Sequence, residues 1–154
     1  PLPRLWLMTD ERQGEGLWAA LERLPKGSGV VFRHYGLAPA ERRKLFERVR
    51  RVAKRRRLLL LAGGRGNGLT ASAHTLRELK AAERSGAAVV FLSPAFPTRS
   101  HPGARALGPV RFALIARQAR IPVIALGGMD ARKARRLPHI YGWAGIDAWM
   151  SSPS

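Results

Sequence analysis

The order in which apolar runs and helical stretches follow one another predicts an α/β fold on parallel strands, and three observations carry that expectation. Short apolar runs alternate with longer stretches whose apolar positions recur every three or four residues. The runs are continuously apolar rather than alternating, as strands covered on both faces require. Several end in polar or glycine residues, as at Thr9-Asp10, Arg33-His34 and Gly127-Gly128, and a parallel barrel gathers such positions at the carboxyl ends of its strands. An open sheet would more readily show phosphate-cradling glycines after the first strand, where this sequence has Thr9, Asp10 and Glu11. The favoured architecture is therefore a TIM (β/α)8-type barrel.

The elements follow in order. Leu5 to Met8 reads as the first strand, and Gly16 to Leu24 as a helix with Leu17, Ala20, Leu21 and Leu24 on one stripe, closed by Pro25 and Gly27. Gly29 to Phe32 is the second strand. Between Pro39 and Arg55 the apolar positions Leu45, Phe46, Val49, Val52 and Ala53 define an amphipathic helix with a basic outer face. Leu58 to Ala62 and Leu69 to Ala73 are the next two strands, and Thr75 to Ser85 is a helix that Gly86 can stop. Ala87 to Leu92 is a strand, and a proline-rich loop leads to a helix beginning near Pro109. Pro122 to Leu126 is a strand ended by Gly127 and Gly128. Asp130 can cap a helix reaching Leu137, and Ala144 to Trp149 is the final strand.

This pattern has a defect. The stretch Ala62 to Gly68 leaves only seven residues to join two strands that should be parallel, whereas a parallel crossover needs a dozen or more. The count is seven strands instead of eight, and 154 residues fall below the roughly 200 at which such barrels start. Residues 1–154 are expected to form one barrel domain that lacks a helix–strand unit after the third strand. The missing segment is placed near residues 63–65, lost by deletion or through disorder.

Composition narrows the chemistry. A sequence without cysteine has no disulfides, thiolate nucleophiles or thiolate zinc sites. No apolar run approaches the roughly 18 residues of a membrane helix, so the expected address is cytoplasmic. The formal charge of +18 should attract anions, phosphate first among them. The basic residues crowd into Arg42 to Arg57 and Arg132 to Arg136 without interleaved aromatics, which favours solvated helix faces over a nucleic-acid surface. The four tryptophans, Trp6, Trp18, Trp143 and Trp149, read first as core.

Three motifs stand in order along the second half: Ser72-Ala73-His74-Thr75, the loop Ser93-Pro94-Ala95-Phe96-Pro97-Thr98-Arg99-Ser100-His101, and Ile121-Pro122-Val123-Ile124-Ala125-Leu126-Gly127-Gly128-Met129. Together with Leu5 to Asp10 and the strand ending in Arg33, they resemble the thiamine-phosphate-synthase and thiazole-tautomerase family. The resemblance implies that Gly127 and Gly128 hold the phosphate of a thiazole substrate. Glycine lets backbone amides approach an anion without an intervening side chain, and a following helix N-terminus adds a favourable dipole. It also implies that Arg33, Ser72, Thr98, Ser100 and His101 contact phosphate or diphosphate, with His101 standing where the synthases carry a lysine. Glutamine and lysine commonly flank the arginine in the family; here Val31 and Tyr35 take those places.

For a synthase, the resemblance implies that a pyrimidine-methyl diphosphate is joined to a thiazole phosphate with release of diphosphate and help from Mg²⁺. The acidic residues expected after the third and fourth strands are absent, and Gly63-Gly64 occupies the first of those places. No metal ligands are therefore assigned. His74 corresponds to the histidine with which tautomerases move a proton on a thiazole carboxylate phosphate, chemistry that needs no metal. The plainer alternative for Ser-x-His-Thr is a helix cap, and for His34 a structural histidine. The expected activity is that of the synthase. A tautomerase using His74 is the runner-up, followed by a non-catalytic phospholigand or nucleic-acid binder.

Overall fold

The computed structural model describes residues 1–63, 67–98, 103 and 105–150. They group into two compact units, Pro1–Asn67 with Ile146–Ser154, and Gly68–Gly145.

In the first unit, β1 (Leu5–Met8), β2 (Gly29–Phe32) and β3 (Leu59–Ala62) lie parallel in the order β3-β2-β1. Trp6 faces Gly29 across the ladder, and a Cβ at Gly29 would enter the Trp6 indole, so this strand needs a glycine where the ring lies. Helix α1 (Gly16–Arg23) buries Leu17, Ala20 and Leu21, and Leu24 turns extended ahead of Pro25. Helix α2 (Pro39–Arg56) starts on a proline whose missing amide costs nothing and ends on Arg57 in the left-handed conformation. Val49 and Ala53 lie on its inner stripe, packed with Leu7, Val30 and Phe32. Asp147–Trp149 form a 3₁₀ turn whose Trp149 Nε1 donates to Trp6 O at 3.0 Å.

In the second unit, β4 (Thr70–Ala73), β5 (Val89–Leu92), β6 (Val123–Ala125) and β7 (Gly142–Gly145) are parallel in that order. They alternate with α3 (Leu76–Arg84), α4 (Gly108–Ala116) and the short α5 (Ala131–Ala134). Leu79 and Ala82 form the buried stripe of α3, and Phe112, Ile115 and Ala116 that of α4.

Two expectations fail locally. The last strand is Gly142–Gly145 rather than 144–149, because Asp147 opens a turn and two glycines disguise the strand. The helix after Asp130 stops at Ala134 and does not reach Leu137, which precedes Pro138 and is steered away from helical geometry.

The strands are unequally covered. Met8, all of β2 and all of β5 are buried, whereas Leu59 and Ala62 of β3 and Ser72 of β4 are exposed. The under-covered pair flanks the connection whose shortness exposes the missing unit. Residues 63–69 separate β3 from β4, and no helix occurs among the described ones. The proposed position of the lost segment falls partly outside the described residues, since only Gly63 of the three is described.

Candidate anion-binding site

At the end of β4 the backbone turns directly into α3. Thr75 caps the helix, its hydroxyl accepting from Glu78 N at 3.1 Å, while Glu78 Oε1 accepts from His74 N at 3.0 Å. Ser-x-His-Thr is thus a cap, but the cap uses only the backbone of His74. Its ring reaches the end of β5, where Nδ1 lies 2.8 Å from Ser93 O and 3.3 Å from Ser93 Oγ. A carbonyl can only accept, so Nδ1 carries the proton in the neutral ring. Nε2 is left with a lone pair, which is the form an acid–base histidine requires.

The end of β6 is built from backbone. Gly127 and Gly128 have φ of +106° and +60°, conformations that L side chains rarely adopt. The turn lies against the loop after β5: Ala95 N donates to Leu126 O at 2.9 Å and Phe96 N to Gly127 O at 3.1 Å. A Cβ on Gly127 would come within 2.7 Å of Pro94 Cα, and one on Gly128 would collide with Pro97 O. The carbonyls of both glycines have partners, Gly128 O accepting from Lys133 Nζ at 2.8 Å. Their amides find no acceptor among the described residues. The N-terminus of α5 is already met by Asp130, whose Oδ1 accepts from Lys133 N at 2.8 Å. An anion here is therefore left to the glycine amides and the Lys133 ammonium. Lys133 also lies over the Phe96 ring, 5.4 Å from its centroid.

Sequence reading placed Lys133 in a basic helix. Its position three residues after the capping aspartate was the available signal, because first-turn side chains lean back toward the helix start. Ser93 stands within the second motif, where nothing in the sequence marks it as the partner of His74. Ser72 lies on β4, exposed and in register with Phe91. Thr98 is half-buried just beyond the loop. Ser100 and His101 lie outside the described residues.

Arg33 belongs to the first unit, where side chains build the corner. Arg33 N donates to Thr9 Oγ1 at 2.7 Å and Arg33 Nε to Thr9 O at 2.9 Å. Asp10 Oδ2 is 3.9 Å from Arg33 Nη2, a buried atom with no hydrogen-bond partner among the described residues. Burial lowers the Arg33 pKa from its usual value, partly offset by the Asp10 carboxylate. A buried guanidinium nitrogen lacking an acceptor is suited to an anion that arrives with the ligand. His34 is the structural histidine expected: it is 6% exposed, with Nδ1 3.0 Å from Thr9 Oγ1 and its ring stacked on Phe32 at 5.0 Å. Burial pushes its pKa below the ordinary histidine value, against the pull of Glu11 and Asp10.

All ten carboxylates of the sequence lie in described residues. Most are committed to caps and arginine pairs: Asp10 and Asp147 to Arg12, Glu22 to Arg55 and Arg56, Glu83 to Lys80. Among the described residues no group of three or more His, Asp or Glu could hold a metal ion. No Mg²⁺ ligand is therefore assigned among the described residues.

Parallel strands alternating with helices define the (β/α) class, and the glycine turn sets two amides without an acceptor among the described residues beside a lysine. Residues 64–148 match the family described as thiamine monophosphate synthase. A curated protein of Aquifex aeolicus named "Putative thiamine-phosphate synthase 2" is 32% identical, the alignment covering 97% of this chain and 98% of that one. The solved structure of thiamine phosphate pyrophosphorylase from Pyrococcus furiosus superposes with a TM-score of 0.80 at 22% identity, covering 97% of this chain and 88% of that one. The chain belongs to the thiamine monophosphate synthase family and has the α/β, TIM-barrel-type fold of its solved relative. The alignment with the Aquifex protein runs over 183 positions, so a chain of 154 residues leaves at least 29 of them empty. That is about the length of a βαβ repeat, as expected if one helix–strand unit is absent. Among the described residues no helix is long and apolar enough to cross a membrane.

Proposed function

We propose that the protein is a thiamine-phosphate synthase of thiamine biosynthesis, joining a pyrimidine-methyl diphosphate to a thiazole phosphate and releasing diphosphate. The observation that carries the site reading is the Gly127-Gly128 turn, its carbonyls engaged and its amides without an acceptor among the described residues, beside Lys133. These groups would hold the thiazole phosphate. Arg33, whose buried Nη2 has no hydrogen-bond partner among the described residues, would take an oxygen of the diphosphate; Ser72, Thr98, Ser100 and His101 are the further phosphate or diphosphate contacts that the resemblance implies.

The reaction breaks the bond between the pyrimidine methylene carbon and the diphosphate oxygen, and the electron pair leaves with the oxygen. The thiazole nitrogen then supplies its own pair to the carbon. Positive charge held still around the departing oxygens lowers the barrier, since it is stronger toward the transition state than toward the bound substrate. Guanidinium and amide donors supply that charge in this reading. Mg²⁺ aids relatives of this type according to the resemblance, and the chemistry above is derived from this chain's own donors. We take residues 1–154 as one functional domain lacking a helix–strand unit near 63–65, and a cytoplasmic address suits its phosphorylated substrates.

The geometry of His74 favours a second reading, a thiazole tautomerase in which Nε2 takes a proton from one ring position and returns it at another. Incubation with both phosphorylated substrates, followed by ³¹P NMR and chromatography, separates the readings. Thiamine phosphate with an equal amount of diphosphate is the expected result. Isomerised thiazole alone would assign the tautomerase, and neither product would overturn both.

A further inference from the structure

Helix α2 has a cationic outer face that the phosphate-binding site does not use. Several of its basic residues have partners. Arg42 donates to Arg33 O at 3.2 Å and lies over Phe32, Arg48 lies over Trp18 at 4.4 Å, and Arg50 pairs with Glu47 at 3.0 Å. Arg55 and Arg56 share Glu22, whose pKa is lowered by them. Arg43, Lys44, Arg51 and Lys54 are exposed and have no carboxylate partner among the described residues. At 100° per residue, these four fall within a stripe about 100° wide and about 16 Å long, opposite the buried Val49 and Ala53.

We infer that this stripe is a docking surface for the sugar–phosphate backbone of duplex nucleic acid of any sequence. Duplex DNA carries one negative charge per ~1.7 Å of axis, so a 16 Å stripe faces about nine of them. Guanidinium and ammonium groups match phosphate, and an α-helix fits a major groove about 12 Å wide. Other anionic surfaces suit the face less well. The exposed large apolar residues are Tyr35, Leu59, Val110 and Leu114, none of them on α2. The helix therefore offers neither a wedge for insertion among lipids nor a platform for stacking unpaired bases. Recognition without base contacts is independent of sequence.

Fluorescence anisotropy of a labelled 20-base-pair duplex tests this. Four neutralised phosphates give a log–log salt slope of about −3.6, hence about 150-fold weaker binding at 200 mM than at 50 mM NaCl. The variant Arg43→Gln/Arg51→Gln/Lys54→Gln keeps the fold, since these side chains are exposed, and its slope falls to about −0.9. The control Arg77→Gln/Arg84→Gln removes two exposed charges from α3 and leaves the slope unchanged. A flat slope for the parent protein overturns the proposal, as does a control that lowers the slope as much per charge as the α2 variant. Equal affinity for phosphatidylglycerol vesicles or polyglutamate at the same salt also overturns it.

Discussion

The carboxyl ends of β1 and β2 and those of β5 and β6 are built by opposite means. In the first unit, Thr9, Asp10, Arg33 and His34 form a corner of side chains, each held by another, with the buried Arg33 Nη2 lacking a hydrogen-bond partner among the described residues. In the second, Gly127 and Gly128 form a corner of backbone whose amides have no acceptor among the described residues. The comparison teaches where an anion-binding site is easy to perturb. A side-chain corner can lose one contact and keep its shape, whereas a glycine corner loses shape and contacts together.

The variants that break or sharpen this contrast differ in size. Under the tautomerase reading, removing the Nε2 lone pair with His74→Gln lowers proton transfer on the thiazole phosphate by about 10² to 10⁴, whereas under the synthase reading it leaves thiamine phosphate formation within about tenfold. Thermal stability should stay unchanged, since the Thr75–Glu78 cap remains; a matched loss of stability would show that the ring is merely structural. Gly128→Ala should cost on the order of 2–3 kcal/mol from its left-handed backbone and the collision with Pro97 O, and should abolish phosphate binding. Chemical denaturation with phosphate titration reads both effects, and an unaltered variant would contradict the glycine corner. Arg33→Lys should weaken diphosphate binding by about 1.5–3 kcal/mol, the range for hydrogen bonds to a charged group, and leave thiazole phosphate affinity as it was. Calorimetry with each ligand separates the two.

The smallest effect concerns pH. Because the folded-state pKa of His34 is depressed, the unfolded chain binds the proton first on acidification, so stability present above the ordinary histidine pKa of about 6.5 falls as pH drops below it. Melting temperature should decline from pH 7.5 to pH 5, and less steeply in His34→Asn, a residue that tolerates the positive φ found here. Parallel declines would remove His34 as the cause.

What the sequence disclosed follows the same division. Gly127-Gly128 was legible because a backbone site leaves glycines in the sequence, and the two buried strands of each corner were legible because their runs are apolar throughout. The Arg33 corner was half legible: the arginine was visible, while its supports Thr9 and Asp10 lie more than twenty residues away and meet it only across the β1–β2 ladder. Lys133 was hidden for a related reason, since one basic residue among the four of Arg132 to Arg136 does not reveal which turns back toward its own helix start. The last strand was misplaced because periodicity ignores the glycines that begin and end it. The want of a helix–strand unit was readable from arithmetic alone, because a connection of seven residues cannot contain a crossover helix.

The claim on which the account rests is that the amides of Gly127 and Gly128 bind phosphate. It is tested by ¹H–¹⁵N spectra of the labelled protein during titration with the thiazole phosphate. Saturable downfield shifts of those two glycine amides, with smaller changes at the other fourteen glycines, are the predicted result. Binding that leaves both amides where they were would contradict it.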